Sequence, residues 1–157
     1  PDNPYGLPNA TQEGKNTLGF LLNGEPWTPK GYSGTANLSI DFDEGINNGI
    51  VGIVGYRTVS ASDKTQFILG IDDSLNFKSA PFLLSIGIGS VGGLSFSTKT
   101  YCDILHTDAT VYQTGNINIT RLDRSARIIS GTFEGVLFKQ TCGDTLKITN
   151  GRFDMKY

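Results

Sequence analysis

Short runs in which apolar and polar residues alternate recur along the chain and predict β-strands. NLSIDFD (37–43) alternates Leu38, Ile40 and Phe42 with polar residues, as a strand with one buried face requires. Further runs of β type, separated by Gly, Asn, Asp or Ser, are IVGIVGYRTV (50–59), TQFILGID (65–72), PFLLSIGIGS (81–90), LSFSTKTY (94–101), ATVYQT (109–114), NINITRLD (116–123) and ARIISGTFEGVLFKQ (126–140). No run has sustained helical periodicity.

The number of these runs predicts the fold class. About ten short strands in one domain imply two packed sheets or one sheet closed on itself. We therefore expect a single-domain antiparallel β-sandwich, with a closed, calycin-like β-barrel as the alternative. The last four runs are expected to form a meander, because their connections are short. The polar opening predicts that residues 1–16 form an extended tether or an irregular segment over a β domain of residues 17–157.

A hairpin is predicted at Asn23-Gly24, because a type I′ turn needs two residues that tolerate positive φ. The expected pairs are Leu22 with Glu25, Leu21 with Pro26 and Phe20 with Trp27. Pro26 would occupy a non-hydrogen-bonded pair, so no ladder bond is lost. Phe20 and Trp27 would stack across the hairpin. We interpret the only tryptophan as a core anchor and not as a ligand platform.

The same dipeptide, Asn150-Gly151, occurs in the C-terminal run LKITNGRFDMKY (146–157). A second hairpin is predicted there, with Ile148 opposite Phe153 and Leu146 opposite Met155 on an apolar face. The other face would carry the polar pairs Lys147 with Asp154, Thr149 with Arg152 and Thr145 with Lys156. A single continuous strand with a bulge at Gly151 is the alternative. In both cases the C-terminal segment is predicted to be structural.

Composition and charge narrow the functional classes. Hydrophobic residues make up 38% of the 157 residues, aromatics 10%, and 20 residues are glycine, which suits strands joined by turns. The formal net charge is −2 and there is no basic stripe, so we expect no nucleic-acid partner. No run approaches the ~18 apolar residues of a membrane-spanning helix.

Cys102 and Cys142 are the only cysteines. They form no CxxC pair, and a single histidine leaves too few ligands for a structural zinc site. In an exported protein they would form a disulfide, worth up to ~4 kcal/mol for a loop of this size on the chain-entropy model. The alternative is two buried free thiols. The chain starts at Pro1 and not at Met, which indicates a mature or trimmed form.

Three stretches carry a family resemblance: ATQEGKNTLGFLLNGEPWTPKG (10–31), IISGTFEGVLF (128–138) and KITNGRFDMKY (147–157). They resemble a family of small lipoproteins of Bacteroidetes-type bacteria that is known only as a domain of unknown function. In that family a lipid-modified cysteine shortly precedes a Thr-Gln-x-Gly-x-Asn-Thr stretch, here TQEGKNT (11–17). The chain ends in a Gly-Arg-Phe-Asp strand, here 151–154. The family's usual cysteine after the first Phe is replaced by Leu21.

The resemblance implies a location and no activity. It implies export to the periplasm or cell surface, with anchoring to the outer membrane through a lipid on a cysteine that precedes Pro1. The membrane would be contacted only through that lipid. Because export favours oxidised cysteines, we predict that Cys102 and Cys142 are bridged.

Candidate chemistry is sparse. His106 has Asp103 and Asp108 nearby, but no GxSxG or other nucleophile context accompanies it. We therefore interpret it as a loop histidine that is dispensable for function. The segment DFDEG (41–45) lacks the DxDxDG spacing of a calcium loop, and Asp72-Asp73 ends another strand. Paired carboxylates also serve glycoside hydrolysis, which we rank lower still.

The segment GIGSVGG (87–93) lacks GxGxxG spacing and no helix follows, so we interpret it as a turn. We expect no catalytic residues, no cofactor and no metal site. The predicted function is a non-enzymatic module of the cell envelope, either structural or binding an envelope partner or a small ligand. The alternatives are a small-ligand carrier, if the sheet closes around a hollow interior, and a hydrolase that uses His106 or the strand-end carboxylates.

Overall fold

The computed structural model describes residues 3, 5–31, 36–78, 81–85, 91–98 and 102–157. Within these residues the chain folds into two antiparallel sheets that pack face to face, which confirms the predicted β-sandwich. The described strands number eleven, and the two sheets remain separate. The alternative of a single closed sheet is therefore wrong.

The six-stranded sheet has the order β2–β1–β11–β10–β9–β6. Its strands are β1 (Thr17–Leu22), β2 (Glu25–Trp27), β6 (Phe82–Leu83), β9 (Val111–Asp123), β10 (Ile128–Lys139) and β11 (Thr145–Lys156). The five-stranded sheet has the order β3–β4–β5–β7–β8. Its strands are β3 (Leu38–Asp43), β4 (Ile50–Thr58), β5 (Lys64–Ile71), β7 (Gly92–Thr98) and β8 (Asp103–Ile104).

Several predicted runs have different bounds in the structure. The runs ATVYQT and NINITRLD join into the single strand β9, because Gly115 takes a φ of 133° and lets the strand continue. Strands β9, β10 and β11 form the expected meander. Gly92 and Gly93, predicted to lie in a turn, begin β7. Residues 86–90 and 99–101, which belong to two other predicted runs, lie outside the described residues.

The hairpin at Asn23-Gly24 is confirmed. Both residues have positive φ, and the observed pairs are Phe20 with Trp27, Leu21 with Pro26 and Leu22 with Glu25. The rings of Phe20 and Trp27 stack with centroids 5.0 Å apart. Trp27 is 4% exposed, so it is a core residue, as predicted.

The C-terminal segment is one continuous strand, so the hairpin predicted at Asn150-Gly151 is wrong. β11 lies between β10 and β1, and its pairs include Phe153 with Gly131 and Leu18, and Ile148 with Gly135 and Leu22. Asn150 uses its positive φ of 53° in a bulge, as in the alternative prediction. The bulge keeps Ile148, Phe153 and Met155 on the buried face of the sheet.

The space between the sheets is filled by side chains of both. Five phenylalanines from the strands of the two sheets are buried: Phe20, Phe67, Phe82, Phe96 and Phe133. The ring of Phe67 lies 4.6 Å from that of Phe20 and 5.4 Å from that of Phe133. Gly151 allows this packing, because a Cβ there would lie 2.4 Å from the Phe133 ring. The core therefore offers no hollow interior for a carried ligand among the described residues.

Cys102 and Cys142 form the predicted disulfide, with their Cα atoms 5.7 Å apart. Cys142 lies in a single 3₁₀ turn, Gln140–Cys142, between β10 and β11. Cys102 directly precedes β8, which has only two residues. The disulfide therefore fixes the short β8 segment of one sheet to a connection of the other.

Candidate functional site

A row of glycines crosses the outer face of the five-stranded sheet. Gly52 of β4 pairs with Gly70 of β5, which pairs with Gly93 of β7. Neighbouring residues of these strands, such as Ile53 and Leu69, point into the core. The three glycines therefore face outward and contribute no side chain of their own to the outer face of three adjacent strands.

Neither the packing nor the backbone requires glycine at two of these positions. A Cβ at Gly52 would meet no atom within 4 Å, and a Cβ at Gly70 would have its nearest contact, the His106 ring, at an ordinary 3.6 Å. Neither residue has positive φ. Glycine weakens the interior of a strand, since it is flexible and has no side chain to pack. These two glycines therefore leave the outer surface of the sheet without side chains at their positions.

The third glycine lets a histidine lie on the sheet. A Cβ at Gly93 would be 2.5 Å from the Cβ of His106 and 2.6 Å from its Cγ. His106 lies in the turn after β8, as the sequence predicts, but it is half-buried and its ring lies against the strands. The imidazole therefore closes one end of the glycine row.

Ser95 fixes the orientation of this imidazole. Its hydroxyl oxygen accepts the backbone N–H of His106 at 2.9 Å and lies 2.8 Å from Nδ1 of the ring. Ser95 is buried and no other acceptor among the described residues takes its hydroxyl proton, so we assign that proton to Nδ1, which places the ring proton of a neutral imidazole on Nε2. Among the described residues no acceptor bonds Nε2, which lies above Gly70.

The glycine row is the floor of a groove of 230 Å³, which we call the glycine groove. Ile50, Ile68, Asp72 and Val91 line its sides, and His106 closes one end. Ile68 and Asp72 lie two positions before and after Gly70, so their Cα atoms are separated by about 13 Å along the strand direction. At the other end the row continues to Asp41 of β3, which pairs with Gly52 and is exposed.

His106 is electrically neutral near neutral pH. Burial lowers the pKa of the imidazole below its ordinary value, and the nearby carboxylate of Asp72 opposes this shift without reversing it. The groove therefore presents a neutral N–H donor at its closed end and a carboxylate acceptor on its side. An amide N–H of Asn47 reaches Asp72 only at 3.5 Å, so most of the carboxylate's hydrogen-bonding capacity is unused among the described residues.

The segment that carries His106 is fixed from the other sheet. The disulfide holds Cys102 at the start of the segment, and Lys139 of β10 contacts residues on both sides of His106. The Lys139 ammonium lies 2.8 Å from Asp108 and donates to the carbonyl of Asp103 at 3.2 Å. Hydrogen bonds from Lys139 and Thr110 hold the pKa of Asp108 well below its usual range. These contacts hold the His106 segment in place, although β8 itself has only two residues.

The arrangement of Ser95 and His106 does not suit nucleophilic catalysis. Ser95 is 2% exposed and lies beneath the imidazole, so its hydroxyl does not face the groove. Asp108, one of the acids near His106 in sequence, is paired with Lys139 and does not orient the ring. Ser95 thus acts as a positioning residue for His106.

The other predicted carboxylates are not assembled into a site. Glu44 pairs with Arg124, and Asp43 accepts the backbone N–H of Gly45 at 2.8 Å. Asp73 accepts a hydrogen bond from Asn48 at 2.6 Å. Among the described residues no three His, Cys, Asp or Glu side chains lie close enough together to hold a metal ion.

A second polar cluster lies on the outer face of the six-stranded sheet. The carboxylate of Asp154 is 1% exposed and is surrounded by residues of the N-terminal segment. It accepts hydrogen bonds from the hydroxyls of Thr11 and Ser130, at 2.5 and 2.7 Å, and from the backbone N–H groups of Glu13, Gly14 and Lys15. We call this group the Asp154 cluster.

The Asp154 cluster corrects the sequence-based assignment of this residue. The hairpin prediction placed Asp154 on a solvent face opposite Lys147, whereas β11 pairs it with Ser130 and Thr17. Burial alone would raise its pKa, but the hydrogen bonds from Thr11, Ser130 and the backbone lower the pKa well below its ordinary value. The TQEGKNT and GRFD motifs therefore meet in one structural unit, and residues 11–15 lie over the fold.

A larger cavity, of 560 Å³, lies beside the N-terminal segment. Its described lining residues include Leu7, Leu18 and Leu38 together with amide and hydroxyl side chains, but no titratable group. The glycine groove is smaller but combines open volume with two oriented polar groups. We therefore take the glycine groove as the candidate site.

Sequence reasoning missed Ser95 and the glycine row as site residues. Gly52 and Gly70 are single glycines in two strands, and Gly93 ends the GIGSVGG segment that was predicted to be a turn, so only the pairing of β4, β5 and β7 aligns the three. No protein-family model, curated protein or solved structure matches this chain. No helix among the described residues is long and apolar enough to cross a membrane.

Proposed function

We propose that this protein is a non-enzymatic module of the cell envelope that binds a small polar ligand in the glycine groove. The observation that carries the proposal is the open glycine floor beside a fixed imidazole whose Nε2 has no partner among the described residues. Binding sites of this kind combine apolar walls with a few placed polar groups. Here Ile50, Ile68 and Val91 are the apolar walls, and His106 and Asp72 are the polar groups.

Two further features support the envelope location. The Cys102–Cys142 disulfide is of the kind that persists in oxidising compartments such as the periplasm. The resemblance of the terminal motifs to bacterial lipoproteins points to the same place. The burial of Ser95 beneath His106 favours a binding role over a hydrolytic one.

Amide and side-chain NMR spectra of the intact protein test the proposal. The probes are methyl β-glucopyranoside, 1,4-diaminobutane and inorganic phosphate, each titrated separately. We expect at least one probe to shift the amides of Gly52, Gly70 and Gly93 and the ring signals of His106. Gly70→Val, which places a branched side chain on the floor, should abolish those shifts.

Thr114→Val is the control, because it also places a valine on an exposed strand face, that of the other sheet, and only exchanges a hydroxyl for a methyl group there. It should leave the shifts unchanged. If none of the three probes and no other neutral methyl glycoside shifts the groove residues of the folded protein, the proposed binding function is overturned. Equal shifts in Gly70→Val would also overturn it.

A further inference from the structure

The shape of the glycine groove limits its ligand to about one ring. Its volume of 230 Å³ is below the ~300–1,000 Å³ of pockets that hold drug-sized molecules. The uncovered floor consists of Gly52 and Gly70 on two adjacent strands, the His106 side chain lies over Gly93, and Ile50 and Ile68 line the groove beside the floor. A ring that presents C–H groups on its face can lie flat on such a floor and against such walls.

The polar groups require a ligand that both donates and accepts hydrogen bonds. Nε2 of His106 offers one N–H, and the carboxylate of Asp72 accepts. The two are close enough for the charge of Asp72 to affect the imidazole. Neighbouring hydroxyl groups on one ring satisfy both, because one can accept from His106 while the next donates to Asp72.

The charges around the groove disfavour anions. Asp72 lies on its side, Asp41 lies at its open end, and Asp43 is the next outward residue of β3. No Lys or Arg is among the described lining residues. A phosphate or carboxylate would therefore enter a negative field without a cation to pair with. An ammonium ligand would leave the N–H of His106 without an acceptor.

We infer that the glycine groove binds an uncharged, hydroxylated six-membered ring, that is, a neutral pyranose sugar. The inference rests on the proposed binding function and assigns its ligand class. The C–H face of the ring lies on Gly52 and Gly70, and adjacent hydroxyls bridge Asp72 and His106. Because the groove is open toward Asp41, the ring can be a free sugar or the terminal unit of a glycan.

The test is an NMR titration of the intact protein with matched sugars. The neutral probes are the methyl glycosides of glucose, galactose and mannose, and the charged probes are glucuronate and glucosamine. We expect at least one neutral glycoside to shift the Gly52 and Gly70 amides and the His106 ring. Glucuronate should bind about tenfold more weakly or not at all. Asp72→Asn should weaken the neutral glycoside about tenfold, since a hydrogen bond to a charged group is lost.

A further arm separates the two sources of the sugar. If the ligand is the terminal unit of a glycan that extends toward Asp41, cellobiose, maltose and lactose should shift the same floor residues and also the Asp41 amide. Shifts confined to the floor with the methyl glycosides alone would assign a free monosaccharide. Both results support a neutral pyranose.

The failures of the two proposals are distinguishable. If diaminobutane, phosphate or glucuronate shifts the groove residues and no neutral glycoside does, the ligand class is overturned while the binding function stands. If no probe of any class shifts them, both are overturned. If Asp72→Asn unfolds the protein, His106→Gln provides the second variant, and unchanged glycoside affinity in a folded His106→Gln contradicts the inference.

Discussion

Each sheet carries on its outer face one polar side chain that is held by hydrogen bonds. The two side chains differ in how much of their hydrogen-bonding capacity is used and in whether they are covered. The Asp154 carboxylate accepts five hydrogen bonds from its own chain and is 1% exposed. The His106 imidazole is held through Nδ1 only, and its Nε2 lies over a floor without side chains. A saturated, covered group stabilises the fold, whereas an oriented group with spare capacity beside open volume marks a binding site.

The two regions also differ in how glycine is used. Gly14 of the Asp154 cluster has a φ of 71°, and a Cβ there would lie 3.0 Å from Ile128, so the local structure requires glycine. Gly52 and Gly70 have neither constraint. Glycine therefore serves the fold in one region and leaves space in the other.

The largest expected effect comes from removing the disulfide. The double variant Cys102→Ala/Cys142→Ala should lose up to ~4 kcal/mol of unfolding free energy, measured by denaturant melts. Because the bridge fixes the segment that carries His106, the sugar-induced shifts should weaken as well. The Asp154 cluster lies on other strands, so its amide protection should persist while the protein is folded. Loss of that protection with unchanged sugar binding would contradict this assignment.

Asp154→Ala should have the next largest effect, about 3 kcal/mol of lost unfolding free energy. The variant leaves buried donors from residues 11–15 without their charged acceptor. Asp144→Ala is the matched control, because Asp144 is exposed, and its melt should equal that of the wild type. Equal loss in both variants would show that the Asp154 cluster is not a stabilising unit.

The pH dependence of stability should separate the two regions. The pKa of Asp154 is lower in the folded state than in the unfolded state. Its contribution is therefore complete above the unfolded pKa of about 3.9 and is lost as the pH falls further. The pKa of His106 is also lowered on folding, so its contribution is lost as the pH falls below about 6.5. Melts from pH 8 to 3 should show both losses.

Two variants identify which residue causes each loss of stability. Asp154→Asn should reduce only the loss below pH 4, to which the lowered pKa of Asp108 also contributes, and His106→Gln should remove only the loss that begins near pH 6.5. A wild-type melt that is flat between pH 7 and 5 would contradict the buried, neutral state of His106.

The smallest effect is expected at the groove floor. Gly52→Val should change the unfolding free energy by no more than about 1 kcal/mol, and in the stabilising direction, because valine favours a strand and its Cβ meets open space. Thermal melts measure this. A large destabilisation would mean that glycine is required at position 52 for folding, and would remove the main argument for a binding site.

Much of the fold was predictable from local pattern. Alternation of apolar and polar residues identified the strands, and the Asn23-Gly24 turn fixed the register of Phe20 against Trp27. The Asn150-Gly151 prediction failed because positive φ at asparagine serves a bulge as well as a hairpin turn. Only the presence of β1 as a second neighbour of β11 decides between them, and that contact is distant in sequence.

The sites were much less predictable. His106 was identified, but its partner Ser95 and the glycine row come from other strands, which only the antiparallel pairing brings together. Asp154 was assigned to a solvent face, because the donors that cover it lie near the opposite end of the chain. Sequence periodicity reports which face a residue occupies, and it does not report what lies over that face.

The most direct test of the central claim measures thermal stability and methyl glycoside shifts together in Gly70→Val and Asp154→Asn. We predict that Gly70→Val melts within a few degrees of the wild type and loses the shifts at Gly52 and His106. Asp154→Asn should melt at a clearly lower temperature and keep those shifts below its melting temperature. The account is contradicted if Gly70→Val retains the shifts, or if Asp154→Asn loses them while folded.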